Sequence, residues 1–422
     1  MYKNKISLLI LISLFLAQFS IGQNNTNSPY TRFGYGDISD ANSGEQRAMG
    51  GVALGSRSSR NVNTVNPASY SSVDSMTFMF DLGSSALLSR FSTTAGNLNK
   101  FTANLDYITM QIPLAKNLGF SAGLLPYSFV GYSFATTNTQ STGYNLDEFN
   151  SISNRYTFSG SGGFSQVYAG VSTSLFNHIS LGVNAYYMYG TVYNNRSMRL
   201  LTASDSTVQY NSINANNFRF RYGIQLYNTF AKKHDVTLGL IYEQKAKLNG
   251  TSSQITDGVL AEATTPVAGD STYEVPTVYG VGLYYTYDKR LSVGLDYTMQ
   301  MWGDAKFRGV NSLTNRSKIA FGVEYIPNPR GRKFIERMSY RGGLNMSNPY
   351  YIVNNAIAPK NYGVSLGFGL PLYNNVTNSV TMLNTSFEYG KIGSTDLLRE
   401  DYFKFTLNVT FNEHWFIKHK LY

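Results

Sequence analysis

Residues 403 to 411 read Phe403-Lys404-Phe405-Thr406-Leu407-Asn408-Val409-Thr410-Phe411, apolar at each odd position and polar at each even one. A period of two marks a strand with a single greasy face. Lys404, Thr406, Asn408 and Thr410 suit a wet interior, whereas the opposite face can lie against lipid without burying a polar group. A strand so regular and so near the C-terminus needs partners on both sides, because each backbone N–H or C=O left bare in hydrocarbon costs several kcal/mol. The last strand is therefore expected to pair with the first. The fold class that follows is all-β: a transmembrane up-and-down antiparallel β-barrel.

The same alternation recurs upstream. Val167, Ala169 and Val171 are followed by Leu181, Val183 and Ala185 across a turn at Asn177-His178, and Phe218, Phe220 and Tyr222 are answered by Val236, Leu238 and Leu240 across Lys232-Lys233. Leu291 to Met299, Ile319 to Tyr325 and Val364 to Leu370 continue it. Between residues 76 and 411 there are roughly fourteen such runs, an even number, as single-chain bacterial barrels have. An even count puts both ends of the barrel on one side. The short turns near Lys116, Asn177, Lys233, Lys289 and Asn374 then face inward, and polar loops near 136–155, 196–216 and 252–271 face outward. One inner connection is long and basic, Pro327 to Lys333 with Arg330, Arg332 and Lys333. It reads either as a docking site for an anionic periplasmic partner or headgroup, or as a solvated connector kept out of the membrane by its charge.

Residues 1–22 read as a signal peptide: Lys3 and Lys5, an apolar run from Ile6 to Phe19, then Ser20-Ile21-Gly22. Secretion places the barrel's inner side in the periplasm. No later stretch has the roughly 18 apolar residues of a membrane-spanning helix. The chain has 33 Tyr, 26 Phe, only 14% charged residues and no Cys. Disulfides, thiolate metal sites and cysteine nucleophiles are thereby excluded. A lipid-facing barrel reconciles many aromatics with modest hydropathy, since apolar positions alternate with a polar lumen and tyrosines collect at the two interfaces. The formal charge of +10 is spread along the chain without a basic arm, which argues for surface chemistry and against nucleic-acid binding.

Residues 23–75 do not alternate and are punctuated by glycine and proline. They contain Arg47-Ala48-Met49-Gly50-Gly51-Val52 and, further on, Asn66-Pro67-Ala68. Taken blandly, this is a glycine-rich loop with an Asn-Pro turn. The pair also resembles the amino-terminal signature of the long-chain fatty-acid transporter (FadL) family of Gram-negative outer-membrane proteins, including relatives attached to secretion machinery. The resemblance implies that residues 23–75 form a hatch plugging the lumen, with Arg47, Met49, Gly50, Gly51, Asn66, Pro67 and Ala68 as its motif. It also implies outer-membrane lipid around the barrel and a hydrophobic small-molecule ligand leaving through a lateral opening in the third strand. Pro126, which cannot donate to a ladder, is the candidate for that opening, with a rim bulge as the alternative. The tail 412–422 carries Glu413-His414-Trp415-Phe416, an aromatic periplasmic segment that suits the inner interface.

Catalysis finds little support. The histidines, His178, His234, His414 and His419, fall in turns or the tail, and no carboxylate pair, metal spacing or phosphate loop stands out; neither an enzyme nor a cofactor is expected. Parity along the strands instead turns Arg219, Arg221, Glu243, Lys245, Asp296 and Gln300 toward the lumen. They read equally as an anchor for the hatch or a ligand headgroup, and as a charge ladder bracing the wall. Two functions remain: passive uptake of hydrophobic small molecules through hatch and lateral opening, or a non-transporting scaffold that partners other outer-membrane or periplasmic proteins in an assembly or secretion complex. The outer stretches Thr136 to Asn154 and Thr251 to Asp270 are too polar to offer a greasy substrate a landing place.

Overall fold

The computed structural model describes residues 25–94, 96–141, 151–200, 206–258, 267–268, 272–353, 356–357, 360–374, 379–394 and 398–414. The signal-peptide reading and the tail beyond His414 lie outside the described residues. Fourteen antiparallel strands close into a barrel. They are β1 (Thr77–Thr93), β2 (Gly96–Ala115), β3 (Leu118–Ser141), β4 (Ser151–Leu175), β5 (Ile179–Leu200) and β6 (Ser206–Phe230). Next come β7, in two pieces (His234–Glu243 and Ala246–Asp257), and β8, also in two (Thr272–Val275 and Val278–Tyr287). The circuit finishes with β9 (Leu291–Gln300), β10 (Arg316–Tyr325), β11 (Ser339–Ser347), β12 (Asn361–Asn374), β13 (Ser379–Ser394) and β14 (Leu398–His414).

Closure takes the form the C-terminal pattern demands. β14 pairs with β13 on one side and with β1 on the other, from Thr77↔His414 to Ser92↔Arg399. Phe403 is 60% exposed on the outer face and Thr410 is 0% exposed on the inner one. The lipid-facing surface continues through Val167, Phe218, Tyr222, Leu295, Phe321, Leu366 and Phe387, all exposed. No helix among the described residues is long and apolar enough to cross a membrane.

Three inner hairpins turn on consecutive residues of positive φ: Phe176-Asn177, Ala231-Lys232 and Asp288-Lys289. That geometry matches the twist of the flanking strands, which is why such short turns suffice. The inner connection at Pro327 is longer and leads into a one-turn helix, Phe334–Arg337. On the outer side much of what was expected to be loop is strand, since β3 runs to Ser141, β4 starts at Ser151, β5 reaches Leu200, β6 starts at Ser206 and β7 reaches Asp257. The outer ends of these hairpins are mostly Ser, Thr, Asn and Gln, so they carry little period-two signal.

Candidate functional site

The N-terminal segment runs through the barrel's interior, and its two motifs have plain structural work. A short helix α1 (Gly44–Ala48) is opened by Gln46, whose Oε1 accepts the Ser43 N–H at 2.9 Å. It is stopped by Gly50 (φ 69) and Gly51 (φ 95), where the Gly51 N–H donates to the Gln46 carbonyl at 2.7 Å. Left-handed backbone at the end of a helix is where glycine costs least. Asn66 caps the 3₁₀ turn Pro67–Ser72 by accepting the Ala68 N–H at 3.1 Å, and its Nδ2 donates to the Leu54 carbonyl at 2.8 Å. Pro67 opens that turn, where its missing N–H is not needed.

From Ala48 to Tyr70 the segment travels around the inside of the wall. Where its main chain passes, the wall strand presents a glycine. A Cβ on Gly367 of β12 would collide with Ala48, on Gly343 of β11 with Gly50, and on Gly322 of β10 with Met49. Gly294 of β9 faces Val52, Gly239 of β7 faces the Leu54 carbonyl, Gly223 of β6 faces Asn66, Gly182 of β5 faces Pro67 and Gly119 of β3 faces the Tyr70 carbonyl. Registered neighbours share the device, as in Gly182↔Gly223, Gly239↔Gly282 and Gly294↔Gly322↔Gly343. The glycines form an inward belt that lets two backbones touch.

Charge fixes the segment at the same level. Arg47 pairs with Asp106 of β2 and its Nε donates to the Asn42 carbonyl at 3.1 Å. Glu45 lies 3.5 Å from the Arg341 guanidinium of β11, which also pairs with Glu324 and donates to Asn384 at 2.7 Å. Asp40 pairs with Lys318 and, at 3.7 Å, with Arg316. Burial works against ionising the Asp40 carboxyl, but Lys318 and Arg316 outweigh it and hold the group well below the ordinary carboxylate range. For Glu45 burial prevails over Arg341, with Glu324 and Asp81 adding to it, and the carboxyl is pushed up to about 7.

Asp296 and Arg221, read as lumen-facing, both reach the segment. Asp296 accepts the N–H groups of Ala53 at 2.6 Å and Leu54 at 2.8 Å, and Arg221 donates to the Val65 carbonyl at 3.3 Å. Arg219 and Arg221 share Glu243, which is fully buried, while Arg219 also donates to Gln166 at 2.8 Å and lies over the Tyr127 ring at 4.8 Å. These contacts both brace the wall and hold the segment. Gln300 accepts the Trp302 indole N–H at 2.8 Å. Lys245 departs from the expected parity. It sits at the break in β7, 41% exposed, and reaches Glu274 at 3.1 Å and the Asp304 carbonyl at 3.2 Å. Past the break the alternation shifts by one, so Leu248 is buried inside and Lys247 is exposed.

Pro126 marks a change in the wall. Against β4 the register slips between Pro126↔Ser165 and Ser128↔Phe164, leaving Tyr127 as a bulge. Against β2 the ladder runs only from Ala115↔Leu118 to Ile108↔Leu124 and stops. Beyond it the N-terminal segment takes over one side: Asp37↔Phe129 and Ile38↔Ser128 pair, the Ser39 N–H donates to the Tyr127 carbonyl at 2.9 Å, and the Gly131 N–H donates to Thr31 Oγ1 at 3.1 Å. Behind the split lies a cavity of about 220 Å³ bordered by Asp37, Asp40, Asp106, Arg316, Lys318 and Lys404.

The interior also holds an aromatic cluster that the sequence reading did not single out. The Tyr35 ring packs 5.4 Å from Trp302, Trp302 packs 4.7 Å from Tyr350, and the Tyr35 N–H donates to the Tyr350 hydroxyl at 3.0 Å. Trp302, Tyr350 and Tyr351 are buried aromatics within otherwise polar outer connections, and that contrast was the available signal. Arg330, Arg332 and Lys333 lie far from this interior, exposed on the inner turn beside Phe334 and Ile335. Among the described residues no group of His, Asp and Glu could hold a metal ion.

Among solved structures, a FadL homologue from Pseudomonas aeruginosa matches with a TM-score of 0.60 at 10% identity, covering 91% of this chain and 100% of that one. The toluene transporter TbuX of Ralstonia pickettii gives 0.58 at 13% identity, over 89% and 99% of the two chains. The toluene transporter TodX of Pseudomonas putida gives 0.55 at 16% identity, over 90% and 99%. At these identities the likeness is one of fold. No curated protein matches the sequence. A protein-family model described as BamG matches residues 1–422.

Proposed function

Since this chain belongs to the BamG family, we propose that it is a plugged barrel in the outer membrane of a Gram-negative bacterium, serving as a scaffold subunit of an outer-membrane protein assembly complex. The observation that carries this reading is the interlock of segment and wall. A hatch that must move to pass a ligand has no use for a belt of wall glycines pressed to its main chain and for buried ion pairs at Arg47 and Glu45. The remaining interior supports the same reading. The cavity by the split sets carboxylates, lysine and arginine beside Leu87, Phe129 and Tyr351, and its charged side is a costly route for a hydrocarbon, which would strip water from those groups without replacing it. An aromatic cluster about Tyr35, Trp302 and Tyr350 packs within the same interior.

One feature favours passive uptake of hydrophobic compounds instead: the ladder between β2 and β3 parts at Leu124, next to Pro126, in a fold shared with toluene transporters. Purification from the native host in mild detergent separates the two. A stoichiometric outer-membrane or periplasmic protein travelling with the barrel is the expected result. A lone barrel holding lipid or hydrocarbon beside residues 47–68 would overturn the scaffold reading and favour uptake.

A further inference from the structure

The short-turn rim of the wall is stepped between β5 and β7. β5 begins at Ile179, paired with Leu226, while β6 runs on past Leu226 to Phe230 and turns there into β7. The edge of β6 beyond the β4–β5 turn is finished locally: the Tyr227 N–H donates to the His178 carbonyl at 2.8 Å, and the Thr229 N–H to Asn228 Oδ1 at 2.9 Å. The step leaves a recess of about 320 Å³ lined by Ile179, Leu226, Phe230, Val236 and Leu238, with His178 and Asn228 beside them. Ile179↔Leu226↔Leu238 and Asn228↔Val236 are registered neighbours on the outward parity of Phe218, Phe220 and Tyr222, so the recess opens on the lipid-facing side. The turn after Phe230 carries Lys232 and Lys233, both exposed, and the neighbouring β8–β9 turn, whose Asp288 N–H donates to the Lys233 carbonyl at 2.7 Å, adds exposed Lys289 and Arg290. The carboxylates on these two turns are Asp288 and Asp235, which accepts the Thr229 hydroxyl at 2.6 Å, so positive charge prevails there.

We infer that this recess binds one anionic phospholipid, an acyl chain lying in it and the phosphate resting at Lys232 and Lys233. The inference rests on the barrel lying in the outer membrane and is independent of the choice between scaffold and uptake. Contact within hydrocarbon expels no water, so what a recess in the wall gains from an occupant is the van der Waals contact that its lining otherwise forfeits. A flexible acyl chain supplies it. The apolar floor continues into the lipid-facing run of Ile224, Tyr222 and Phe220, while the cations stand at its other end, so the occupant is greasy at one end and anionic at the other. A soluble periplasmic protein does not reach into the hydrocarbon. A second copy of the chain, related by a two-fold axis along the membrane normal, would set the same lysines against each other. The chain's own residues do not provide the anionic end either. Both hairpins around the recess, 151–200 and 206–258 up to the long loops, are described. Residues 375–378 and 415–422, outside the described set, follow Asn374 of β12 and His414 of β14, strands that stand five or more places away around the ring. Residues 1–24 join at Asn25, whose carbonyl is held by Asn104 of β2. None of these three stretches contains an Asp or Glu.

The test is native mass spectrometry of the barrel purified from outer membranes in mild detergent, stripped of lipid and given equal amounts of phosphatidylglycerol and phosphatidylcholine. One phosphatidylglycerol should be retained at least fivefold over phosphatidylcholine. Lys232→Gln with Lys233→Gln should abolish that preference, because the turn keeps its length and loses only its charge. Val236→Trp, which fills the recess, should lower retention of both lipids at least fivefold. Arg330→Gln with Arg332→Gln, on another turn of the same side, should leave the preference intact. The lysine pair removes no packing, so it decides the matter even where Val236→Trp loses heat-modifiable barrel mobility. Equal retention of the two lipids, a preference that survives without Lys232 and Lys233, or an equal loss in the Arg330 and Arg332 variant overturns the site. A protein that travels with the barrel in place of lipid and is lost with Val236→Trp overturns it too, in favour of a protein occupant. A chain absent from the outer-membrane fraction overturns the outer-membrane reading itself.

Discussion

The N-terminal segment meets the wall in two ways. From β5 round to β12 its main chain lies against wall glycines, its carboxyl groups Glu45 and Asp40 are answered by Arg341 and Lys318, and its Ala53 and Leu54 N–H groups by Asp296. At the split it supplies pairing for β3 and none for β2. In the first region the segment and wall are matched to each other along the main chain. In the second the same segment pairs with one edge, and among the described residues it meets the other through Asn104, which donates to the Asn25 carbonyl at 2.7 Å. The contrast teaches that the segment is held by close main-chain packing along most of the wall and by strand pairing and single side-chain bonds at the split.

Breaking the matched region at its strongest point gives the largest effect. Arg341→Met removes the cation shared by Glu45 and Glu324 and leaves two buried carboxylates without it. Removing one partner of a buried charge pair costs about 3–5 kcal/mol. The segment should loosen, read as faster protease cleavage at Arg57 or Arg60 in a barrel that keeps its heat-modifiable mobility. Arg399→Met, which cuts a partly exposed pair with Asp401 at 2.8 Å, should change cleavage little. Equal cleavage in the two variants would remove the distinction between interior and rim.

The glycine belt comes next. Gly239→Ala drives a methyl into the Leu54 carbonyl, an overpacking worth about 1–3 kcal/mol. Gly342→Ala is the control, since its added carbon meets nothing nearer than Leu366 Cδ2 at 3.6 Å. Asn66→Ala forfeits the cap on Ala68 and the bond to Leu54, at about 1 kcal/mol. Thermal midpoints of the purified barrels should fall in that order, with Gly342→Ala unmoved. A midpoint for Gly239→Ala no lower than that for Gly342→Ala would mean that the segment does not press on the wall.

Lipid on one face is what makes such a chain legible. It forces the alternation in Phe403 to Phe411 and fixes closure of β14 on β1, and the same parity places Arg219, Arg221, Glu243 and Asp296 inside. The reading fails where lipid stops imposing the pattern. Lys245 was misplaced because a break in β7 resets the parity, and the outer ends of β3 to β6 passed for loop because Ser, Thr and Asn dominate their sequence. The glycine belt was invisible for another reason. A glycine inside a strand announces only that something comes close, and what comes close to Gly343 lies some three hundred residues away in the chain, at Gly50. The motif residues Gly50, Gly51 and Asn66 could be picked out locally, but their partners could not.

The smallest effect sharpens the comparison through pH. Asp40 is held below the ordinary carboxylate range, so its contribution is complete above pH ~4 and is lost as pH falls. Glu45 titrates at about 7, above its ordinary value, so its contribution is complete below pH ~4.5 and is lost as pH rises through 7. Attachment of the segment should therefore be firmest near pH 4 to 5 and weaken on either side. The chain has no cysteine, so Arg60→Cys carrying a nitroxide reports the segment alone, through a line shape that broadens as motion is restricted. Asp40→Asn should flatten the acid limb and Glu45→Gln the limb toward neutral pH. A line shape constant from pH 3 to 8 would mean that the glycine belt holds the segment without help from the ionised Asp40 or the protonated Glu45.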